Sequence, residues 1–113
     1  KVVLIDFWAT WCGPCIADLP NILNAHQELS RKGFVVLGVS LDENQKRMDQ
    51  MIADRKMDWL HHFDGKKWKN ELAVQFDVHS IPANLLVDRK GIVRAVNLRG
   101  KEIAELAKPL LKK

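Results

Sequence analysis

The stretch that decides the fold stands at the start of the chain: Val2-Val3-Leu4-Ile5-Asp6-Phe7-Trp8-Ala9-Thr10-Trp11-Cys12-Gly13-Pro14-Cys15. Residues 2–8 are apolar and rich in β-branched side chains apart from Asp6, a pattern typical of a short buried strand. Beyond the second cysteine, apolar residues recur at spacings of three and four, which predicts a helix that Gly33 ends. The cysteine pair therefore lies where a buried strand passes into a helix.

The rest of the chain alternates between strand-like and helical patterns. An apolar run over 34–41 predicts a second buried strand, and strand, helix and strand in this order predict a parallel pair with a right-handed crossover. The order of all elements predicts one α/β domain, a mixed sheet with helices on both faces. The next predicted elements are a helix over 43–56, an extended piece over 59–63 and a short helix carrying Trp68, Leu72 and Phe76. An antiparallel hairpin of 83–87 and 92–98 follows. The last predicted helix starts at about Lys101, and its apolar stripe consists of Ile103, Leu106, Ala107, Leu110 and Leu111.

Composition and charge exclude several classes of protein. The hydrophobic fraction of 47% and the charged fraction of 28% are those of a folded globular domain rather than a disordered chain. No apolar run approaches the roughly 20 residues that a membrane-spanning helix needs. The net charge of +4 is modest, and the basic residues are scattered apart from 66–69 and the tail at 112–113. We therefore expect no nucleic-acid partner.

The position of the cysteines gives them a chemistry that an isolated thiol lacks. A free cysteine, with a pKa of about 8.5, is mostly an unreactive thiol near neutral pH, and the positive end of a helix lowers that pKa. Cys12 is expected at the exposed start of the helix and Cys15 one turn inside it, so their sulfurs can meet as a disulfide. Gly13 allows the turn, and Pro14 stands where a helix tolerates proline. This arrangement predicts a redox-active pair.

Two structural roles compete with redox chemistry for the cysteines. A disulfide across two intervening residues closes too small a loop to stabilise the fold much by chain entropy. A zinc site needs four ligands, and the four histidines have no finger spacing to the one cysteine pair. The adjacent His61 and His62 are expected to be structural or surface residues. We therefore predict no metal site and no cofactor.

Residues 3–15 resemble the active-site strand and motif of thioredoxins. The similarity extends to the envelope branch of thioredoxin-like reductases, the TlpA/ResA type, in three stretches: Cys15-Ile16-Ala17-Asp18-Leu19-Pro20, the insert from about Glu43 to Lys66, and Phe76-Asp77-Val78-His79-Ser80-Ile81-Pro82 leading into 86–91. The resemblance implies a single thioredoxin-like domain over residues 1–113. The hairpin that usually precedes the first strand in this family is missing, so we expect a fragment of a longer protein.

The resemblance also implies roles for individual residues. Cys12 would be the attacking thiolate, and Cys15 would resolve the mixed disulfide. Asp6, a buried carboxylate with a raised pKa, would handle protons for the buried cysteine. The residues implied to contact substrate are Trp11, Gly13, Pro14, Ile81 and Pro82, with a cis peptide bond between the last two.

Simpler roles are open for several of these residues. Asp6 could face water at a strand end, Trp11 could be a core residue, and Pro82 could open its strand with a trans bond. Asp18 stands where the family commonly has a glutamate near the thiols. It could equally be a first-turn acid that complements the helix dipole.

Gly13-Pro14 between the cysteines resembles thioredoxin itself, which implies a reductase of protein disulfides. The resemblance further implies protein thiol or disulfide substrates and an upstream membrane or soluble reductant. It also implies that the protein is a monomer located in the bacterial envelope or periplasm, with the cytoplasm as the alternative location. Two other functions are open. A thiol peroxidase would need a threonine-rich proline loop three residues before its peroxidatic cysteine, whereas Thr10 lies only two before Cys12 and no proline precedes it. A non-catalytic thioredoxin-like module of a larger envelope protein would need neither thiol.

Overall fold

The computed structural model describes residues 1–112, in which strands and helices alternate along the chain. In chain order the elements are β1 (Val2–Trp8), α1 (Gly13–Leu29), a 3₁₀ turn (Ser30–Lys32), β2 (Phe34–Ser40), α2 (Gln45–Asp54), β3 (Leu60–His62), a second 3₁₀ turn (Lys67–Lys69), α3 (Glu71–Gln75), β4 (Ala83–Val87), β5 (Val93–Val96) and α4 (Glu102–Leu111). The strands form one five-stranded sheet in the order β3-β2-β1-β4-β5.

The first strand is the centre of this mixed sheet. β1 pairs in parallel with β2 and antiparallel with β4, so that Asp6 lies opposite Gly38 on one side and Asn84 on the other. β3 extends the parallel half, and β5 completes the antiparallel hairpin with β4. The predicted parallel pair, the predicted hairpin and the mixed sheet are all confirmed.

Helices cover both faces of the sheet. Side chains alternate between the two faces of a strand, and in β1 the residues Val2 and Leu4 pack with α1 and α4, whereas Phe7 packs with α2 and α3. Because Asp6 follows the same alternation as Leu4, its side chain belongs to the face that α1 and α4 cover. The cysteines lie beyond the carboxyl end of β1, in the same cluster as Phe7.

Gly33 stops the helical segment, as the sequence predicts. α1 ends at Leu29, and one 3₁₀ turn carries the chain to Gly33, whose φ of +103° lies in the left-handed region. A residue with a side chain would be strained there, and glycine is not. The amide of Val2 donates to the carbonyl of Gly33, so the turn also aligns β2 beside β1.

Two predicted helical details are wrong. The segment from Trp68 to Phe76 is not one helix, because the buried Asn70 interrupts it and caps α3 with its side chain, which accepts from the amides of Leu72 and Ala73. Trp68 therefore lies in the 3₁₀ turn and Phe76 at the C-cap of α3, and both side chains are exposed. Leu106 is also exposed, since the face of α4 that packs on the sheet is narrower than the apolar pattern suggests.

None of the helices within residues 1–112 combines the length and the apolar character needed to cross a lipid bilayer.

Candidate active site

The two cysteines form a disulfide at the first turn of α1. Their Cα atoms are 5.3 Å apart, and Cys12 is the N-cap of the helix, with its Sγ accepting a hydrogen bond from the amide of Cys15 at 3.2 Å. Gly13 and Pro14 are the first two helical residues, where a proline leaves no helical hydrogen bond unmade. The helix therefore directs a free amide and the positive end of its dipole at Cys12, an arrangement that stabilises a thiolate.

The exposure of the cysteines differs from the prediction. Cys12 is only 5% exposed and Cys15 7%, so Cys12 is not the exposed residue that its place at the helix start suggested. Gly13 and Pro14 are exposed instead. Cys12 belongs to the apolar cluster formed with Phe7, Trp8 and Cys15, and its sulfur is bonded to Cys15.

Asp6 is the buried carboxyl group beneath this helix. It is 6% exposed, and burial raises the pKa of Asp6 from 3.8 to about 7, with the negative charge of Asp18 adding to the rise and the positive charge of Arg99 opposing it. A carboxyl with this pKa exists in both protonation states near neutrality. The alternative that Asp6 faces water is wrong.

Asp18 and Arg99 complete a charged group around Asp6. Asp18 lies three residues after Cys15, on the same side of α1, and its Oδ1 accepts from the side-chain amide of Asn21 at 2.8 Å and from the amide of Gly100 at 3.1 Å. It is not a first-turn acid, since the first turn of α1 contains no acidic residue. Asp18 instead joins α1 to the segment that leads into α4.

The peptide bond between Ile81 and Pro82 is cis, which confirms the expectation drawn from the resemblance. Ile81 packs against the apolar cluster that contains both cysteines. The carbonyl oxygen of Pro82 accepts a hydrogen bond of 2.6 Å from Nη2 of Arg99. Arg99 therefore links the proline loop to the segment before α4, and its charge also acts on Asp6.

Trp11 stands beside the disulfide as an exposed residue. It is 47% exposed, so the alternative of a core tryptophan is wrong. Trp8, the last residue of β1, is by contrast 2% exposed and belongs to the cluster of the cysteines. His61 packs edge-on against the Trp8 ring, and burial lowers the pKa of His61, in keeping with its predicted structural role.

Sequence reasoning missed the residue that holds the loop before Cys12. Asp42 is 2% exposed, and it accepts from the Thr10 hydroxyl at 2.6 Å, from the Thr10 amide at 3.1 Å and from the Ser40 hydroxyl at 2.7 Å. One signal was present, because Asp42 follows the carboxyl end of a buried strand parallel to β1, where functional groups of such sheets converge.

Arg99 was also missed, and no local pattern points to it. Its roles depend on Pro82 and Asp6, which are distant in sequence and come together only in the fold. Among the described residues, no group of three or more His, Cys, Asp or Glu side chains is arranged to hold a metal ion.

A cysteine pair at a helix N-terminus, a buried carboxyl beneath that helix and a cis-proline loop define a dithiol-disulfide site on a mixed sheet. A family model described as thioredoxin-like matches residues 1–93. The chain belongs to this thioredoxin-like family.

Individual relatives carry related names. The chain is 42% identical over 54 residues to the thiol-disulfide oxidoreductase ResA of Oceanobacillus iheyensis, covering 48% of this chain and 28% of that protein. It is 35% identical over 102 residues to probable nucleoredoxin 1 of Arabidopsis thaliana, covering 88% of this chain and 17% of that protein. The chain thus spans well under half the length of both relatives.

A solved structure extends the likeness to the fold. The thioredoxin domain of a thiol-disulfide oxidoreductase from Bacteroides vulgatus has a TM-score of 0.89 at 27% identity, covering 98% of this chain and 79% of that one. The mixed sheet with helices on both faces is therefore a thioredoxin-like fold.

Proposed function

We propose that the protein is a thiol-disulfide oxidoreductase that reduces disulfides in other proteins, with Cys12 and Cys15 as its redox pair. The observation that carries the proposal is the cysteine pair at the N-terminus of α1, with the Cys15 amide directed at the Cys12 sulfur. The thioredoxin-like family and the names of the relatives support the same activity. The reducing direction rests on the resemblance of Gly13-Pro14 to thioredoxin.

The reaction begins with the reduced protein. The Cys12 thiolate attacks one sulfur of a substrate disulfide; a bond forms between Cys12 Sγ and that sulfur, and the substrate's own S–S bond breaks. The departing substrate sulfur takes the electron pair and then a proton from water. The mixed disulfide formed in this way holds substrate and protein together.

The second step returns the cysteines to the disulfide form. Cys15 gives its thiol proton to the Asp6 carboxylate, directly or through a water, and its thiolate attacks Cys12 Sγ. The mixed disulfide breaks, and the remaining substrate sulfur leaves with the electron pair and is protonated. Two electrons have then passed from the protein to the substrate. A dithiol or membrane electron donor supplies two electrons and two protons to restore the reduced pair.

Asp6 is the group best suited to take the Cys15 proton. Its pKa of about 7 is close to the working pH, at which a group can both accept and return a proton. Trp11, Gly13 and Pro14 adjoin the cysteines in the chain, and Ile81 packs against the apolar cluster that contains them. We assign to these residues and to Pro82 the contact with an extended substrate chain.

A thiol peroxidase is the main enzymatic alternative, and the position of Thr10 argues against it. The Thr10 hydroxyl donates to the buried carboxylate of Asp42 at 2.6 Å, so that hydroxyl is already engaged in holding the loop. A peroxide bound at the cysteine would need such a hydroxyl for itself.

One comparison separates the candidate functions. We expect the protein to accelerate insulin reduction by dithiothreitol, and a variant with Cys12→Ser to have no such effect. Faster consumption of hydrogen peroxide than of insulin disulfides would indicate a peroxidase, and the lack of both activities would indicate a binding module. We further propose a bacterial envelope location, protein thiol partners and a monomer, all of which rest on the resemblance to the TlpA/ResA branch.

A further inference from the structure

Two exposed tryptophans meet beside the disulfide. Trp11 directly precedes Cys12, and Trp68 comes from the 3₁₀ turn before α3, far away in sequence. Their ring centroids are 6.0 Å apart, and the two residues are 47% and 38% exposed. Exposed large aromatic side chains often belong to binding surfaces, where tryptophan is among the commonest anchor residues.

The side chain of Lys67 lies over the ring of Trp11, one of these two tryptophans. The Nζ of Lys67 lies 5.6 Å from the centre of the Trp11 ring, within the range of a cation–π contact. Lys67 has a φ of +53°, a left-handed conformation that is uncommon for a long side chain and persists only where the surroundings impose it. The turn therefore keeps a positive charge next to the residue that precedes Cys12.

The surroundings that impose this turn are visible. Asp64 accepts from the amide of Lys66 at 3.0 Å and from the amide of Glu71 at 2.9 Å, one on each side of the turn. The same carboxylate accepts from the side-chain amide of Asn70 at 3.1 Å, and Asn70 is fully buried. Because both ends of the turn are fixed, the positions of Trp68 and Lys67 are set before any partner arrives.

The charge of this surface is positive. Lys66, Lys67 and Lys69 are all exposed, and among residues 1–112 no carboxylate lies within 4.0 Å of the side-chain ammonium group of any of them. The acidic residues closest to the lysines in sequence are Asp64, whose carboxylate already accepts from the amides of Lys66 and Glu71, and Glu71, which is exposed; Asp77 lies further along and pairs with His79 at 2.6 Å. The lysines are thus available to a partner's carboxylates.

An apolar depression continues the surface away from the lysines. It has a volume of about 340 Å³ and an apolar side formed by Trp68, Val74 and Val78, with Val74 64% exposed, while the paired Asp77 and His79 line its other side. The combined surface offers aromatic and aliphatic contacts to one part of a chain and positive charge to another. A flexible polypeptide can satisfy both, and a small disulfide cannot.

We propose that Trp11, Trp68 and the lysines at 66, 67 and 69, hereafter the Trp-Lys surface, bind polypeptide substrates whose disulfide is flanked by acidic residues. This inference rests on the proposed disulfide-reducing function and names its substrate class. Acidic side chains beside the substrate cysteine pair with the lysines, and an apolar neighbour packs on the two indole rings. The substrate sulfur is thereby held next to Cys12.

The test uses two synthetic peptides that differ only in aspartate or lysine on either side of one cysteine. Each cysteine is blocked as a mixed disulfide with mercaptoethanol, and hydroxyethyl disulfide serves as the small uncharged reference. The measurement is the second-order rate of reduction by the reduced protein. Variants are Lys67→Asn, which keeps a residue that tolerates the left-handed conformation, Trp68→Ala, and Lys90→Asn as the matched control at the opposite end of the sheet.

We expect the acidic peptide to react faster than the basic one by roughly 5-fold, because two or three exposed ion pairs are worth on the order of 1 kcal/mol together. Lys67→Asn should reduce this preference, Lys90→Asn should leave it unchanged, and added salt should weaken it. Trp68→Ala should slow both peptides while leaving hydroxyethyl disulfide unaffected.

Equal rates for the two peptides, or an equal effect of Lys67→Asn and Lys90→Asn, would overturn the proposed role of the Trp-Lys surface in binding acidic substrates. If hydroxyethyl disulfide is still reduced in that case, the proposed disulfide-reducing function stands. If the reduced protein reduces none of the three disulfides, the proposed function itself is wrong. The two failures are therefore distinguishable.

Discussion

At the residue scale, the buried carboxyl of Asp6 makes the stability of the protein depend on pH. A carboxylate in the sheet interior lacks the hydration that it has in the unfolded chain, and here its pKa rises to about 7. Its ionisation therefore opposes folding. Stability from this group is greatest while the carboxyl is protonated and falls as pH rises from about 4 towards 7.

Asp6→Asn should remove this pH dependence. We expect little change in the free energy of unfolding near pH 4 and a gain on the order of 3 kcal/mol near pH 8, where Asp6 is charged. Disulfide exchange should become slower, because the amide cannot accept the Cys15 proton. Urea titrations at both pH values test the stability, with Asp54→Asn on α2 as an exposed control. Equal gains at both pH values would contradict a buried ionisable Asp6.

Arg99→Gln should change the pKa of Asp6, although the two residues are far apart in sequence. The positive charge of Arg99 lowers the pKa of Asp6, so its removal should raise that pKa further. The pH at which disulfide exchange accelerates should then move upward. The measurement is the pH profile of exchange together with the carboxyl resonance of Asp6 in carbon NMR. Arg94→Gln, which removes a partner of Asp88, should leave both unchanged.

The proposed attacking role of Cys12 and resolving role of Cys15 are tested by trapping the mixed disulfide. With Cys15→Ser, Cys12 can still attack a substrate disulfide, but no second thiol releases the product, so a covalent mixed disulfide should accumulate. With Cys12→Ser, trapping should be much weaker. Non-reducing gels and mass spectrometry detect the adducts. Equal trapping by both variants would mean that the roles are not divided as proposed.

At the scale of elements, the short connections determine where the reactive groups stand. The loop between β1 and α1 is anchored by Asp42, and the turn before α3 is anchored by Asp64 and Asn70. These anchors are buried or partly buried polar side chains that each satisfy several backbone or hydroxyl donors. Such groups are costly to remove because they leave their partners unsatisfied.

Asn70→Ala should destabilise the protein more than an ordinary capping substitution. Asn70 is fully buried, caps α3 through the amides of Leu72 and Ala73, and donates to Asp64. We expect a loss of about 2–3 kcal/mol from the missing cap and the unsatisfied groups. Asn44→Ala is the matched control, since Asn44 caps α2 with one exposed bond and should cost about 1 kcal/mol or less. Equal losses in chemical denaturation would contradict the structural role given to Asn70.

At the scale of the whole molecule, the two apolar clusters share one sheet. Val2 and Leu4 contribute to the cluster under α1 and α4, while Phe7 and Trp8 of the same strand contribute to the cluster around the cysteines. Because both clusters contain residues of β1, unfolding of this strand would disrupt both of them. The chain should therefore behave as one domain.

We accordingly expect a single cooperative unfolding transition with the disulfide intact. Far-ultraviolet circular dichroism, which reports helices, and tryptophan fluorescence, which reports mainly on the site and on Trp59, should give the same midpoint. Separate midpoints for the two signals would show that the clusters unfold independently and that the single-domain prediction is wrong.

The sequence by itself determined the sheet and the redox pair. Apolar runs with period-two or helical spacing are local, and they predicted β1, β2, the hairpin and α1 because burial of one face is what such a pattern allows. The spacing of the cysteines also indicated a redox pair, whereas the roles of Asp6 and Pro82 came from the resemblance of short motifs to the thioredoxin-like family.

Only the tertiary structure decided which groups surround that pair. Arg99 meets Pro82 and acts on Asp6, Asp42 holds Thr10, and Trp68 meets Trp11, all through contacts between segments far apart in sequence. Local periodicity carries no information about such contacts, since they depend on how strands are ordered in the sheet and where loops cross its end. The burial of Cys12 likewise depends on the apolar cluster that Phe7, Trp8 and Leu41 form around it, which the spacing of residues in the sequence does not reveal.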